Sequence, residues 1–340
     1  MSMTVVYAAP AADLPAPTPR QLAAPAGVGD KIFTRVTLLT GLIVLGVMAA
    51  VGLFLSIEAS QALRSTGTSF LTTSEWFPDR NQFGIAAVLT GTVAIAVVAV
   101  GIALPLSMGT ALFITQVAPP KLRSTLVSLV DLMAAVPSVL YGLWGLFFFQ
   151  GQVIGVSRWI STWFSWIPLF RVTGAEPGSP LSNQTVFTAS AFIAGVVVSL
   201  MVMPIQCSIM REVFSQVPIG EREGAYALGA TRWGMIRIVA LPFGRGGIIG
   251  GTMLGLGRAL GETIAVLLII SPRFDINFHI LEAGGNSVST LIALRYKEAT
   301  GFGLSALMAA GLALFALTLV VNFTASAFVA RSRSGASSEA

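Results

Sequence analysis

Arg258 and Glu262 stand four residues apart as the only charges between Gly246 and Ile270, in a stretch of glycines and large aliphatic residues. A charge near the middle of a bilayer is disfavoured by roughly 2.5–3.5 kcal/mol on insertion scales, so a side chain kept there needs a partner, a substrate or water. A guanidinium grips an oxyanion through two parallel hydrogen bonds, which makes Arg258 a candidate ligand for an anion on its way across. Glu262 would then hold Arg258 in place or alternate with the anion as its partner. The competing reading is structural: the two charges neutralise each other one helical turn apart and lock helix packing. At about 100° per residue, Gly247, Gly251, Gly255, Arg258 and Glu262 fall within an arc of about 80° on one helix. Small residues at four-residue spacing let a second helix come close along that face.

Asp131 is a further acid among apolar residues, about two turns into a hydrophobic segment and ahead of Pro137. It either favours the N-terminal part of that helix or belongs to a gate on the cytoplasmic side. The stretch from Met133 to Trp144, with its proline and several small residues, suits a bend, and repacking around a bend is one route to alternating access. Other chemistry is missing. The three lysines, Lys31, Lys121 and Lys297, follow Asp30, Pro120 and Tyr296, so no Gly-Lys-Ser/Thr phosphate cradle exists and the energy for transport has to come from a partner. His279 is the only histidine and Cys207 the only cysteine, which leaves no His/Cys metal set, no catalytic residue and no bound cofactor to expect. His279 reads as a solvated loop residue and Cys207 as a small core residue.

The elements that must position these residues are membrane helices. The chain is 54% apolar and 10% charged, with a mean hydropathy of +0.82. A soluble domain would carry about 25% charge. Six apolar segments are long enough to cross: 33–57, 84–117, 124–149, 186–210, 246–271 and 304–330. The fold class is therefore all-α and polytopic, with a kink or an emerging half-turn expected at Pro105. Residues 1–30, rich in proline and alanine, read as a disordered tail, and 331–340 as a second tail. With both termini in the cytoplasm, inside loops hold twelve Lys and Arg residues against seven outside, the asymmetry of a positive-inside topology. The net charge of +5 is scattered between spans instead of forming a stripe, which argues against nucleic acid.

Two outer segments look like more than connectors. Residues 152–170, with Trp159, Trp163 and Trp166, suit an amphipathic helix in the headgroup region, and 288–298 a second short helix. Both either tidy the membrane boundary or dock an extracytoplasmic substrate-binding protein.

The polar loop 211–245 falls on the cytoplasmic side between two spans. Pro218 ends one helix, Glu221 and Glu223 place acids around Arg222 in the first turn of the next, Gly229 stops it, and Ala230-Thr-Arg232-Trp233 opens another. A short helix held across the membrane surface is a handle that an ATPase could grasp. From Glu223 the chain runs through Ala225 to Gly229, then nine residues to Val239, and ends on Leu241-Pro242. This resembles the EAA loop of ABC-importer permeases, with one departure, Gly224 in place of the first alanine. Gly224 should weaken that helix by roughly 1 kcal/mol.

Ala135-Val-Pro-Ser-Val-Leu-Tyr-Gly-Leu-Trp144, Arg222 through Trp233, and Leu256-Gly-Arg-Ala-Leu-Gly-Glu-Thr-Ile-Ala265 together resemble the PstC-type permeases of bacterial phosphate ABC importers, over about residues 33–330. The resemblance implies a type I importer (MetI-like) fold with a first helix at 33–57 and a five-helix core at 84–330, in the bacterial cytoplasmic membrane. It implies a heterodimer with a PstA-type sister permease, two PstB-type ATPases gripping the coupling loops, and a PstS-type phosphate-binding protein outside. It also assigns ATPase coupling to Glu221, Arg222, Glu223, Ala225, Gly229, Ala230, Arg232, Trp233, Leu241 and Pro242, and leaves this chain without enzymatic activity of its own. The alternatives are the same architecture carrying molybdate or sulfate, or an ATP-independent anion carrier; a carrier should show internal repeats, and none is visible.

Overall fold

The computed structural model describes residues 27–173 and 184–333. The expected tails lie outside the described residues except at 27–30 and 331–333, which belong to long helices or their edges. Six helical stretches are long and apolar enough to cross a membrane: Val28–Leu71, Ala86–Val117, Ser138–Phe164, Ala191–Ser215, Arg232–Gly261 and Phe302–Thr324. Contacts divide the chain into two units, residues 1–51 and 52–340. Within the first, helix α1 (Val28–Thr66) begins, and its residues up to Ala50 are exposed on every side. An apolar helix exposed all round is stable only where lipid is the solvent.

In the second unit, a small β-hairpin pairs Trp76–Phe77 with Gln82–Phe83. Ahead of it the final turns of α1 bury Ala59 and Ala62. Phe83 collects edge-on contacts from Phe70, Trp76 and Phe302, closing one end of the molecule. α2 (Ala86–Leu112) and α6 (Ala191–Ser215) form the most extensive helix pair. Ala96, Ala99 and Ala103 are buried on α2, three and four residues apart, so they share one face. A Cβ on Gly195 of α6 would fall 2.5 Å from Val98. Both helices run through an internal proline, Pro105 and Pro204.

The third span differs from the expected 124–149. α3 (Pro120–Ala135) stops at Val136, whose ψ of 128° is extended. Pro137 lacks an N–H and excludes the helical region for the residue before it, so the bend is a full break. The span begins afresh with α4 (Ser138–Trp144), continues through a π-helical turn at Gly145–Phe149, and runs into α5 (Gln150–Phe164). Residues 152–164 are thus the end of a membrane helix, and the separate interfacial helix expected at 152–170 does not form. Trp159, Trp163 and Trp166 remain exposed at that end, as residues of an interfacial belt do.

The fifth span is likewise displaced from 246–271. α9 (Leu241–Gly261) ends at Glu262, whose backbone turns extended (ψ 126°), and a short α10 (Ile264–Ile269) follows. α10 docks on α4 where Gly142 and Gly145 leave room: a Cβ on Gly142 would lie 2.8 Å from Leu268, and one on Gly145 2.9 Å from Ile269. α11 (Val288–Arg295), the short helix expected at 288–298, starts with a reciprocal capping box between Ser287 and Thr290. α12 (Phe302–Arg333) closes the chain.

α9 lies on α6 through a file of buried glycines, Gly244, Gly247, Gly251 and Gly255. A Cβ on Gly247 would meet Val213 Cγ2 at 2.5 Å, whereas one on Gly250, on another face, meets nothing within 4 Å. Gly247→Ala should therefore destabilise the membrane domain by about 1–3 kcal/mol through overpacking. Gly250→Ala should be neutral or slightly stabilising, since alanine is the better helix former. Thermal unfolding of the two variants in detergent, read side by side, checks this; equal melting would remove the glycine file as a close contact.

Candidate functional site

The loop between α6 and α9 is built from sharply punctuated turns. α6 closes at Ser215, Pro218 sits at the N-terminal boundary of α7 (Ile219–Ala227), and Glu221 lies in the first turn of α7. At the other end Gly229 takes φ +84°. Its N–H donates to the Tyr226 carbonyl at 2.9 Å, and the Ala230 N–H to the Ala225 carbonyl at 3.0 Å. Those two bonds are the Schellman pattern, which ends a helix on a left-handed residue that glycine adopts without strain. Thr231 then caps α8 (Arg232–Met235), accepting from Gly234 N at 3.2 Å. A π-helical turn at Ile236–Ala240 runs on into α9 at Leu241-Pro242, so that the wider turn stands directly before a proline that has no N–H to donate.

The base of the loop is anchored and its tip is bare. Met235, Ile236 and Ala240 bury themselves against Met210, Phe214 and Val217 from the end of α6. α7 contains no buried residue. Leu228 is 91% exposed, and Ile219, Tyr226 and Trp233 are also exposed. Of the loop residues singled out in the sequence, Glu221, Glu223, Arg232 and Trp233 are exposed, while Arg222, Ala225 and Ala230 are partly covered. Leu228 was not among them. The signal for it was its position inside the motif, directly before the terminating glycine.

Arg258 and Glu262 do not share a helical face. Arg258 is exposed in the last turn of α9. Glu262 lies beyond the helix end, and no ion pair joins the two among the described residues. The mutual neutralisation considered above is therefore absent. Glu262 instead manages the break: its Oε1 accepts from Ala265 N at 3.2 Å, and its carbonyl accepts from Ser289 Oγ at 2.8 Å. Ser289 belongs to a buried polar cluster at the start of α11, where Thr290 Oγ1 donates to Asn286 Oδ1 at 2.7 Å and Val288 N donates to Thr92 Oγ1 at 3.0 Å. This cluster escaped the sequence reading, although the Ser287-x-x-Thr290 spacing announces a cap.

Asp131 is not two turns inside the third span. It sits near the end of α3, before the break, with its side chain half-exposed 3.8 Å from Arg211 Nη2 in the C-terminal part of α6. His279 is not simply solvated either: Nδ1 lies 3.5 Å from Glu282 Oε2. Gly247, Gly251 and Gly255 lie at the α6 contact described above, so the face they share packs inside the chain.

A family model described as "Binding-protein-dependent transport system inner membrane component" matches residues 101–334. The chain is 37% identical to the phosphate transport system permease protein PstC of Haemophilus influenzae, over 86% of this chain and 90% of that one. It is 35% identical to PstC 2 of Mycobacterium tuberculosis, over 89% and 92%. Among solved structures it is similar in fold to a bacterial ABC transporter involved in the import of alginate, with a TM-score of 0.54 at 18% identity, covering 88% of this chain and 98% of that one. The matched span and the extent of these identities mean that the chain, a multi-pass membrane protein, belongs to the binding-protein-dependent transport system inner membrane component family, in its PstC group.

Proposed function

We propose that this chain is the permease subunit of a bacterial importer that moves inorganic phosphate into the cell at the expense of ATP hydrolysed on separate subunits. One observation carries the importer reading: α7 is held rigidly at both ends yet buries none of its own residues, and it ends on the almost fully exposed Leu228. A helix so presented, with apolar side chains among charges, is a docking surface for a partner. The phosphate reading is supported by the names of relatives that match most of the chain and by Arg258, which no acid among the described residues pairs.

Both termini lie in the cytoplasm in this proposal. Lys121, Arg123, Arg211, Arg222, Arg232 and Arg237 all belong to loops or helix ends that the positive-inside asymmetry puts there. Two PstB-type ATPases would take hold of α7 here and of its counterpart on a PstA-type sister permease, and a PstS-type protein would deliver phosphate outside. ATP-driven closure would swing α7 with the base of α9, to which it is tied through Met235 and Ile236. Arg258, exposed at bilayer depth, has to face an aqueous path or the sister permease, since lipid would not accept it. There it would receive phosphate while Glu262, held by its two hydrogen bonds, fixes the end of the helix that carries it.

Purified in mild detergent from its native membrane, the tagged chain should bring down an ATPase and a second permease, and labelled phosphate uptake should resist competition by sulfate and molybdate. Recovery of the chain alone with uptake intact would make it a carrier, and displacement by either anion would change the substrate. Arg258→Ala should lower uptake about 10- to 100-fold, the worth of a charge-assisted hydrogen bond or two, with the complex still assembled. Arg258→Lys should rescue it only partly, because an ammonium lacks the fork. Undiminished uptake in Arg258→Ala would end the pathway role. Leu228→Glu should release the ATPase in co-purification. Gly229→Ala, which forces a side chain into the left-handed region at about 1–2 kcal/mol, should weaken ATPase retention to a smaller degree.

A further inference from the structure

At the inner end of the α2–α3–α6 contact is a cavity of about 240 Å³, lined by Arg123 of α3, Arg211 of α6, Arg222 of α7 and Gln116 of the turn after α2. Three guanidiniums thus share one small space with a single lining carboxylate, that of the exposed Glu212. Asp131 reaches Arg211 Nη2 at 3.8 Å and leaves the rest of that side chain unmatched. Among the described residues Arg211 Nη1, Arg222 Nε and Gln116 Oε1 are buried with no hydrogen-bond partner. Buried polar atoms in folded proteins almost always have partners, so three orphans around one cavity call for an occupant.

The orphans specify its chemistry. Two are cationic donors and require an acceptor with negative charge; arginine forks at the base of a membrane helix bundle suit the oxygens of a phosphate group. The third is an acceptor. Gln116 Nε2 donates to the Phe214 carbonyl at 3.1 Å and to Thr115 Oγ1 at 3.3 Å, which fixes the amide with Oε1 as the oxygen. An acceptor beside the anion wants a P–O–H, which inorganic phosphate carries at neutral pH and a lipid phosphodiester lacks. Arg123 is held ready by its own bond, Nη2 to the Thr115 carbonyl at 3.1 Å.

We infer that this cavity is an oxyanion site for a phosphate group, best fitted by inorganic phosphate, separate from Arg258 and joining α7 to α3 and α6. Without an anion the three guanidiniums repel one another and α7 is pushed from α6; with one bound, Arg222 is drawn onto Arg211 and Arg123. Phosphate accumulating on that side would then bias the position of the helix proposed to meet the ATPase. The inference uses the proposed function only to name the side of the membrane from which the anion comes.

The assembled importer supplies the test. In phosphatidylcholine nanodiscs, equilibrium binding of labelled inorganic phosphate to the complex should be about tenfold weaker for Arg123→Gln, the loss of one charged hydrogen bond. Arg123→Lys should fall between that variant and the wild type. ATP-driven uptake from low external phosphate should be the same in all three, which separates this site from the transport pathway. A parallel preparation from phosphatidylglycerol-containing membranes, analysed by native mass spectrometry, asks whether a lipid fills the cavity instead. Lipid retention that drops with Arg123→Gln keeps the phosphate-group site and changes the source. Binding and retention both unaffected by Arg123→Gln would overturn the inference. Loss of uptake in the wild-type complex would instead count against the importer reading and leave the binding comparison intact.

Discussion

The contact between α6 and α9 governs both functional ends of the molecule. Gly244, Gly247, Gly251 and Gly255 bring the backbone of α9 against Phe214, Val213, Met210, Gln206 and Val202 of α6. Between membrane helices there is no hydrophobic effect to gain, so close backbone approach and the dispersion contacts it permits must supply the attraction. The file ends at Gly255, and beyond it, in the last turn of α9, Arg258 is exposed. Holding the start of α9 against the end of α6 also closes a tight loop between them, so the intervening residues have nowhere to go except outward, as α7. A looser pairing would let both the end of α9 and α7 drift.

The break at Glu262 obeys a different constraint. An extended residue inside a membrane domain frees backbone groups that lipid cannot satisfy, and such backbone survives only when buried in protein that answers each group. Here the Glu262 carbonyl is answered by Ser289 and the Ala265 N–H by the Glu262 carboxylate. The polar cluster at the start of α11 is thus bonded directly to the segment that carries Arg258. Separating the start of α11 from the end of α9 would leave polar groups unpaired, at a cost of about 1–3 kcal/mol each.

What the sequence made legible divides along the range of the interactions involved. α7 and its boundaries were readable from Pro218 and Gly229, since each acts on its immediate neighbours. The glycine spacing on α9 was readable because it repeats along one helix. The third and fifth spans were misjudged because hydropathy sees composition and not the backbone. Residues 124–149 look continuous in apolar content, yet Pro137 splits them, and a π-turn at Gly145–Phe149 carries the helix on into residues that resembled an interfacial segment. The end of α9 was hidden for a longer-range reason. Nothing near Glu262 forbids a helix; the break is stabilised by Ser289, 27 residues away, and by the seat that Gly142 and Gly145 offer to α10. The paired charges at 258 and 262 were consequently placed on one face by a periodicity that stops one residue too early.

The distribution of charge also argues that the chain is built to be completed. Its ion pairs among the described residues are Arg211 with Asp131, His279 with Glu282 and Arg295 with Glu298, all near helix ends or in loops. Arg258, exposed in the last turn of α9, is left out of them, and an unmatched charge on a membrane helix is costly wherever lipid surrounds it. α7 repeats the pattern in water: Leu228 and Trp233 are large apolar groups left bare on a helix that the fold otherwise holds firmly. A protein selected as a monomer would have covered the second and neutralised the first. Both are left open, and the α6–α9 contact makes the loop that carries α7 and the helix that carries Arg258 parts of one body.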